Sequence, residues 1–183
     1  MEKGGVAAMR AMVVYESMYG NTRRVADAVG AGLAAGFDVR VVPVSEASTA
    51  VLAGADLVVV GGPTHVHGMS RASTRKAADD AASKPGNGLR AGPGVLGPGL
   101  REWFGSLGEC QARAAAFDTR MHGPAVFTGR ASRRMARQLR AHGCVVVAKP
   151  ASFLVRRGNQ LEPEETARAR AWGARLAAGI TPG

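Results

Sequence analysis

Cysteines, acidic residues, aromatic residues and long apolar runs are all scarce in this chain. Its two cysteines, Cys110 and Cys144, form no CxxC pair, so we expect no disulfide framework and no cysteine metal site, but two reduced thiols in a cytoplasmic protein. No stretch approaches the roughly 18 apolar residues that a membrane span needs. The opening "MEKGGVAAMRAM" lacks the apolar centre of a signal peptide. The sequence therefore predicts no membrane partner.

The shortage of acidic residues leaves the chain basic, with 24 Lys and Arg against 14 Asp and Glu and a net charge of +10. Such an excess suits an anionic partner, for example a nucleic acid, a membrane surface or a dinucleotide. A compositional bias toward arginine gives the same excess, because the arginines are spread over several segments. Five of them recur at helical spacing, and they form either a docking face for an acidic partner or a solvated helix face: Arg130, Arg133, Arg134, Arg137 and Arg140. No aromatic residues lie between them for base stacking, which disfavours nucleic acid.

Strand and helix patterns alternate along the chain without a linker or a repeat. Predicted strands cover residues 11–16, 37–44, 55–62, 112–117 and 144–148. Predicted helices cover residues 22–35, a short segment ending at 52, 71–82, 100–107, 130–142 and 159–179, and a loop rich in Gly and Pro covers 83–99. This alternation predicts an α/β fold, a three-layer doubly wound sheet of five parallel strands. We expect one domain over residues 10–183, after a disordered tail of residues 1–9.

The turn "SMYGNT" at residues 17–22 joins the first strand to the first helix. Ligands of open parallel sheets bind beyond the carboxyl ends of the strands, and a helix N-terminus offers unpaired N–H groups to an anion. Ser17, Asn21 and Thr22 add polar side chains, and Gly20 allows the backbone to curl around a ligand. The alternative is an ordinary helix cap, which does not require all three polar side chains. The pattern favours a phosphate site.

Three segments in chain order resemble the cofactor loops of the flavodoxin family. "SMYGNT" resembles the family's phosphate loop, and "GGPTHVHG" at residues 61–68 resembles the G-x-P-T loop of flavodoxins and flavodoxin-like quinone reductases. "AAFDTR" at residues 115–120 stands where the third flavin-contacting loop of the family belongs. Within the family, the chain resembles the short, arginine-rich flavodoxin-domain proteins of high-GC bacteria. The resemblance implies a flavodoxin-like strand order, 2-1-3-4-5.

The resemblance also implies FMN as the cofactor, and it assigns sixteen residues to FMN. The phosphate would be held by Ser17, Met18, Tyr19, Gly20, Asn21 and Thr22. The isoalloxazine ring would lie along Pro63, Thr64, His65, Val66, His67 and Gly68. Its other side or its pyrimidine edge would contact Phe117, Asp118, Thr119 and Arg120.

The chain departs from the family pattern at two points in these loops. Tyr19 replaces the usual Ser or Thr of the phosphate loop, and the two later loops contain no Trp or Tyr to stack on the ring. His67, or less favourably His65, is then the nearest planar substitute in the second loop, unless both are ordinary surface side chains. Arg120 beside the ring would favour the negatively charged reduced flavin and raise its potential. These features disfavour a carrier of very low potential.

We therefore expect an FMN-binding protein that acts in electron transfer with an unidentified redox partner. A shuttle is preferred over a reductase because no G-x-G-x-x-G nicotinamide fingerprint follows any strand. Two alternatives stay open: a quinone-type reductase that takes hydride from NAD(P)H, and a flavin-free scaffold that serves as a binding module. No catalytic residue and no metal ligand is predicted.

Overall fold

The computed structural model describes residues 8–65, 68–86 and 88–180. The strands, in chain order, are β1 (Arg10–Tyr15), β2 (Asp38–Pro43), β3 (Leu57–Pro63), β4 (Arg113–Met121), β5 (Val145–Val146), β6 (Ala151–Arg156) and β7 (Gln160–Leu161). The helices are α1 (Asn21–Leu33), α2 (Thr49–Leu52), α3 (Ala72–Ala82), α4 (Leu100–Ser106), α5 (Ala125–Thr128), α6 (Ala131–Ala141) and α7 (Glu165–Ala178), with a 3-10 turn at Val44–Glu46.

The strands form one sheet, in the order β2-β1-β3-β4-β6-β7, with β5 also paired to β4. All pairings are parallel except the β6–β7 hairpin. The predicted doubly wound order is thus confirmed for its first four strands. The place of the predicted fifth strand is shared by β5 and β6, and Pro150 lies in the gap between them, because proline has no N–H to donate to a ladder.

Each face of the sheet carries its own apolar core, as the unbroken apolar strands predict. Alternate residues of β1, β3 and β4 point to opposite faces. One core packs the sheet against α4 and α6 through residues such as Val60, Leu100 and Met135. The other packs it against α1 and α7 through residues such as Val29 and Trp172. The two cores fix where the carboxyl ends of the strands, and hence the connecting turns, come together.

Two predicted boundaries are wrong. The final helix begins at Glu165 and not at 159, because residues 160–161 pair with β6 as the strand β7. The fourth strand continues to Met121 because it is hydrogen-bonded on both sides, with Pro63 opposite Thr119 and Met121 opposite Val155. The segment "AAFDTR" at residues 115–120 therefore belongs to the strand itself, and the loop after the strand begins at residue 122.

Residues 1–7 of the expected disordered tail lie outside the described residues, whereas the carbonyl of Met9 accepts a 2.8 Å hydrogen bond from the N–H of Asp38. In the part of the chain that the structure describes, no helix is both long and apolar enough to cross a membrane.

Candidate functional site

A groove of about 150 Å³ lies at the carboxyl edge of the sheet, between the ends of β1, β3, β4 and the β6–β7 hairpin. Ten of the sixteen predicted cofactor residues line it: Ser17, Met18, Tyr19, Asn21, Thr22, Pro63, Thr64, His65, Thr119 and Arg120. The three segments that the sequence singled out separately therefore meet in one place.

The first turn presents the N-terminus of α1 to this groove. Gly20 precedes the helix at a φ of +92°, a left-handed conformation that suits glycine, and its N–H donates to Ser17 Oγ at 3.1 Å. No side chain caps α1 and no acidic residue lies in its first turn. The first N–H groups of the helix thus keep their capacity to bind an anion.

Asn21 and Thr22 are buried and are both hydrogen-bonded across the groove. The Asn21 amide nitrogen donates to the backbone oxygen and to Oδ1 of Asn159, at 3.1 and 2.9 Å. The hydroxyls of Thr22 and Thr119 lie 2.8 Å apart and share one hydrogen bond. One hydroxyl proton of that pair remains for a ligand, whereas the Asn21 amide acts by fixing the turn to the hairpin.

Tyr19 points away from the first N–H groups of α1 and toward α3. Its hydroxyl donates to the carbonyl of Ala78 at 3.1 Å, and burial raises the pKa of the phenol. The buried side chain of Met18 packs beside it against Ala78 and Val95. The replacement of the family's Ser or Thr by Tyr19 thus converts a hydroxyl donor into an anchor between the turn and α3.

The second segment closes on itself at the rim of the groove. His65 and Gly68 exchange two backbone hydrogen bonds, at 2.8 and 2.9 Å, and the partial burial of His65 lowers the pKa of its imidazole. Thr64 Oγ1 accepts a 3.0 Å bond from the N–H of Ala131, so this hydroxyl caps α6. Val66 and His67 lie outside the described residues.

Two of the residues predicted from the fourth strand do not line the groove. Phe117 is fully buried in the core, edge-on to Phe153 and Trp172. The carboxylate of Asp118, also fully buried, accepts hydrogen bonds from the N–H and the hydroxyl of Ser132, at 2.8 and 2.7 Å. Side chains alternate along a strand, and both of these are taken up by packing, one in the core and one at the start of α6.

Arg120 lies at the end of β4, half-buried, and fastens the segment that follows. Its Nη1 donates to the carbonyl of Gly123 at 2.7 Å and to Thr128 Oγ1 at 2.8 Å. Burial lowers the pKa of Arg120, and its Nε is buried without a hydrogen-bond partner among the described residues. Arg120 thus lines the groove with a positive charge, while its Nε stays buried beneath it.

Sequence reasoning missed three residues of the groove: Met121, Val155 and Asn159. Asn159 has a φ of +56° in the hairpin turn, a conformation that Asn tolerates better than most residues. The Gly158-Asn159 pair between two apolar runs was the available signal for a hairpin. Beyond Met121, α5 exposes 78% of Val126 and 75% of Phe127.

Glu16, at the end of β1, is buried and holds α4 to the sheet. Its Oε2 accepts a 2.8 Å hydrogen bond from the N–H of Leu100, and its Oε1 accepts one from the hydroxyl of Ser70. Arg75 donates to Ser70 Oγ at 3.2 Å and to Glu102 at 3.1 Å. This network, which sequence reasoning also missed, fixes the start of α3 and α4 relative to the first turn.

A larger cleft of about 500 Å³ lies on the other side of the first turn, between the end of β2 and residues 92–98. It shares Ser17 and Met18 with the groove but includes no residue from the ends of β3 and β4. The groove is therefore the place where the predicted site residues meet, although it is the smaller of the two. No group of three or more His, Cys, Asp or Glu among the described residues is arranged to hold a metal ion.

A doubly wound sheet with its polar turns gathered between β1 and β3 defines a class of cofactor-binding α/β proteins. Residues 13–103 match the model of the flavodoxin family. An archaeal flavodoxin structure is 22% identical with a TM-score of 0.62, and the match covers 93% of this chain and 97% of that one. The chain therefore has a flavodoxin-like fold, and over residues 13–103 its sequence is similar to the flavodoxin family.

Two further solved structures have the same fold. Oxidised flavodoxin 1 from Bacillus cereus is 16% identical, with a TM-score of 0.65 and coverage of 94% and 99% of the two chains. The Streptococcus pneumoniae TIGR4 flavodoxin is 19% identical, with a TM-score of 0.62 and coverage of 93% and 99%. No protein of curated function matches the sequence. Flavodoxins are FMN-binding proteins, so FMN is the cofactor that these matches imply.

Proposed function

We propose that this protein binds FMN noncovalently in the groove and passes electrons between redox partners. One observation carries this function: all three segments that resemble flavodoxin cofactor loops contribute residues to a single groove, which opens onto the uncapped N-terminus of α1. When bound, FMN would supply the redox chemistry, and the protein would supply the binding site, the orientation and the local charge.

The donors around the first turn fit a phosphate group. The free N–H groups at the start of α1 and the Thr22–Thr119 hydroxyl pair would bind it without any lysine. The Asn21–Asn159 hydrogen bonds would hold the turn in position. A groove of about 150 Å³ is smaller than pockets that enclose a drug-sized ligand, which are roughly 300–1,000 Å³. It would therefore cover part of FMN and leave the rest accessible to a partner.

The ring end of FMN would lie toward His65 and Arg120. The groove lining includes Arg120 and no Asp or Glu, so the local charge favours the negatively charged reduced flavin. Arg120 fastens the segment carrying α5, where Phe127 is an exposed aromatic that the sequence reasoning had not assigned. We assign Phe127 to packing against the ring, in place of the missing Trp and Tyr. Phe127→Ala should then shift the flavin potential, and Val126→Ala, its neighbour, is the control.

The test of this function is the absorbance spectrum of the purified protein, recorded before and after loading with excess FMN and desalting. A retained flavin band is expected. If no band remains after loading, the proposed function is refuted, and a flavin-free scaffold that acts as a binding module takes its place.

A quinone-type reductase that uses NAD(P)H is the second candidate function. It is favoured by the arginine-lined cleft described below, which adjoins the groove at His65. Steady-state oxidation of NAD(P)H by the FMN-loaded protein in the presence of a quinone separates a reductase from a shuttle. Turnover of NAD(P)H would favour the reductase, and its absence the shuttle.

A further inference from the structure

A third space, a cleft of about 470 Å³, adjoins the flavin groove on the side of α6. Five arginines from three helical segments line it: Arg71 before α3, Arg101 in α4, and Arg130, Arg134 and Arg137 along α6. No Asp or Glu is among its lining residues. We name these five residues, with the space they enclose, the arginine cleft.

The positive charge of the arginine cleft is not compensated within the protein. Among the described residues, the side chains of Arg71, Arg130, Arg134 and Arg137 form no ion pair or hydrogen bond, and Arg130 Nε is buried without a partner. Arg101 donates only to the backbone carbonyls of Ser70 and Met69, at 3.2 and 3.0 Å. Guanidinium groups brought together in this way repel one another, and an anion between them would remove the repulsion.

Elsewhere in the described part of the molecule, some arginines are paired with acids. Arg75 pairs with Glu102 at 3.1 Å, and Arg168 pairs with Glu165. The arginine cleft is distinguished by its grouping: five arginines line one space without an acidic residue, and none of the five has an ion pair among the described residues.

The arginine cleft is continuous with the flavin groove. His65 lines both spaces. A Cβ atom at Gly68 would lie 3.4 Å from an Nη1 atom of Arg134, so this guanidinium rests on the turn that closes the second loop. The pKa of Arg120 in the groove is lowered by burial and, in addition, by the charge of Arg130. A ligand held by the arginines would therefore lie next to the ring end of the groove.

We propose that the arginine cleft binds a small molecule that carries a diphosphate group. Its volume is in the range of small-molecule sites, whereas a flat arginine face would suit a macromolecule. Guanidinium forks bind phosphate oxygens in pairs, and four unpaired arginines match the charge of a diphosphate better than that of one phosphate. This site does not require that FMN bind in the groove. It uses Arg130, Arg134 and Arg137 of the helical arginine band, and it leaves Arg133 and Arg140 outside.

That division of one helix provides a matched pair of variants. Arg134→Ala with Arg137→Ala removes two charges from the cleft, whereas Arg133→Ala with Arg140→Ala removes two charges from exposed positions of the same helix. Binding of inorganic pyrophosphate is measured by titration calorimetry on the FMN-saturated protein, which keeps the probe away from the first turn. Circular dichroism verifies that each variant is folded.

We expect the cleft variant to lose about tenfold or more in pyrophosphate affinity, and the control variant to stay close to the wild type. Equal losses in both variants would mean diffuse attraction by a basic helix and would overturn the site. Failure of the wild-type protein to bind pyrophosphate would also overturn it. Binding of polyglutamate without binding of pyrophosphate would make the arginines a protein docking surface instead.

A parallel titration with NADP⁺ identifies the source of the diphosphate. Tighter binding of NADP⁺ than of pyrophosphate, again dependent on Arg134 and Arg137, would assign the cleft to a dinucleotide, and the reverse order would assign it to a smaller phosphorylated molecule. If the protein does not take up FMN, the same titrations are made on the Asn21→Ala/Thr22→Ala variant. The failure of the flavin function and the failure of this cleft are then observed separately.

Discussion

The flavin groove and the arginine cleft share His65 but differ in how their polar groups are satisfied. In the groove, Thr22 is bonded to Thr119 and Asn21 to Asn159, so its side chains hold one another in position before any ligand binds. In the cleft, four of five arginines have no partner among the described residues. The first arrangement is preorganised and the second is electrostatically incomplete. The two spaces should therefore respond to different kinds of substitution.

Of the substitutions considered, Asp118→Ala should have the largest effect, a loss of stability, because Asp118 links β4 of the groove to α6 of the cleft. Loss of two hydrogen bonds to a fully buried carboxylate at a helix start should lower the free energy of unfolding by about 2–3 kcal/mol. Urea denaturation measures the change, and Ser132→Ala, which removes one of the two bonds, should cost about 1 kcal/mol. Unchanged stability with weakened FMN binding would instead make Asp118 a ligand contact.

Thr22→Ala combined with Asn21→Ala should weaken FMN binding about tenfold or more, or about 1.4 kcal/mol. The double variant removes a hydroxyl at the first turn and the bonds that fix the turn to Asn159. Fluorescence titration with FMN measures the affinity. Asn159→Ala is the control for the positioning role alone and should give a smaller loss. An unchanged affinity in the double variant would contradict the assignment of the FMN phosphate to the first turn.

Binding of pyrophosphate in the arginine cleft should raise the pKa of His65, because the bound negative charge favours the protonated imidazole. In the free protein burial holds this pKa below 6.5, and the nearby carboxylate of Glu16 opposes that effect. Because the bound state has the higher pKa, binding takes up protons and strengthens as the pH falls toward that value. Imidazole NMR titrations with and without pyrophosphate test this shift. The shift should vanish in Arg134→Ala/Arg137→Ala, and its persistence there would contradict the assignment.

Tyr19→Phe should have the smallest effect, a loss of about 0.5–1.5 kcal/mol in stability with unchanged FMN affinity. The Tyr19 hydroxyl donates to Ala78 and not to the groove. Thermal unfolding and FMN titration on the same variant separate the two roles. A clear loss of FMN affinity at unchanged stability would restore Tyr19 as a phosphate donor.

The parts of the fold that local pattern determines were predictable. The strand β1, the turn at residues 17–22 and α1 follow one another within 24 residues, and β3 is an unbroken apolar run. Their turns meet in the groove because parallel strands end at the same edge. The placement of FMN contacts within those turns stays a prediction.

The rest depended on partners distant in sequence. The polar end of β4 resembled a loop, but its polar side chains are hydrogen-bonded to distant residues, Asp118 to Ser132 and Thr119 to Thr22. The final helix was predicted to begin at residue 159, but β7 forms at residues 160–161 by pairing with β6.

Cys110 and Cys144 illustrate the same limit. Their thiols are 34 positions apart in sequence but close enough in the fold to influence each other, which lowers the pKa of Cys110 to about 6 while the pKa of Cys144 is raised. Nothing in the local sequence around Cys110 indicated this.

The conformation and the hydrogen bond of Asn159 restrict the sequences that can form the same site. Its backbone φ of +56° is one that glycine adopts freely, but its side-chain Oδ1 must also accept a bond from Asn21. Glycine meets only the first requirement, and most larger residues meet neither. Asn and Asp are therefore almost the only residue types that suit this position. In a chain of this fold, Asn at the positions of both Asn21 and Asn159 predicts from sequence a hydrogen bond between the first turn and the hairpin.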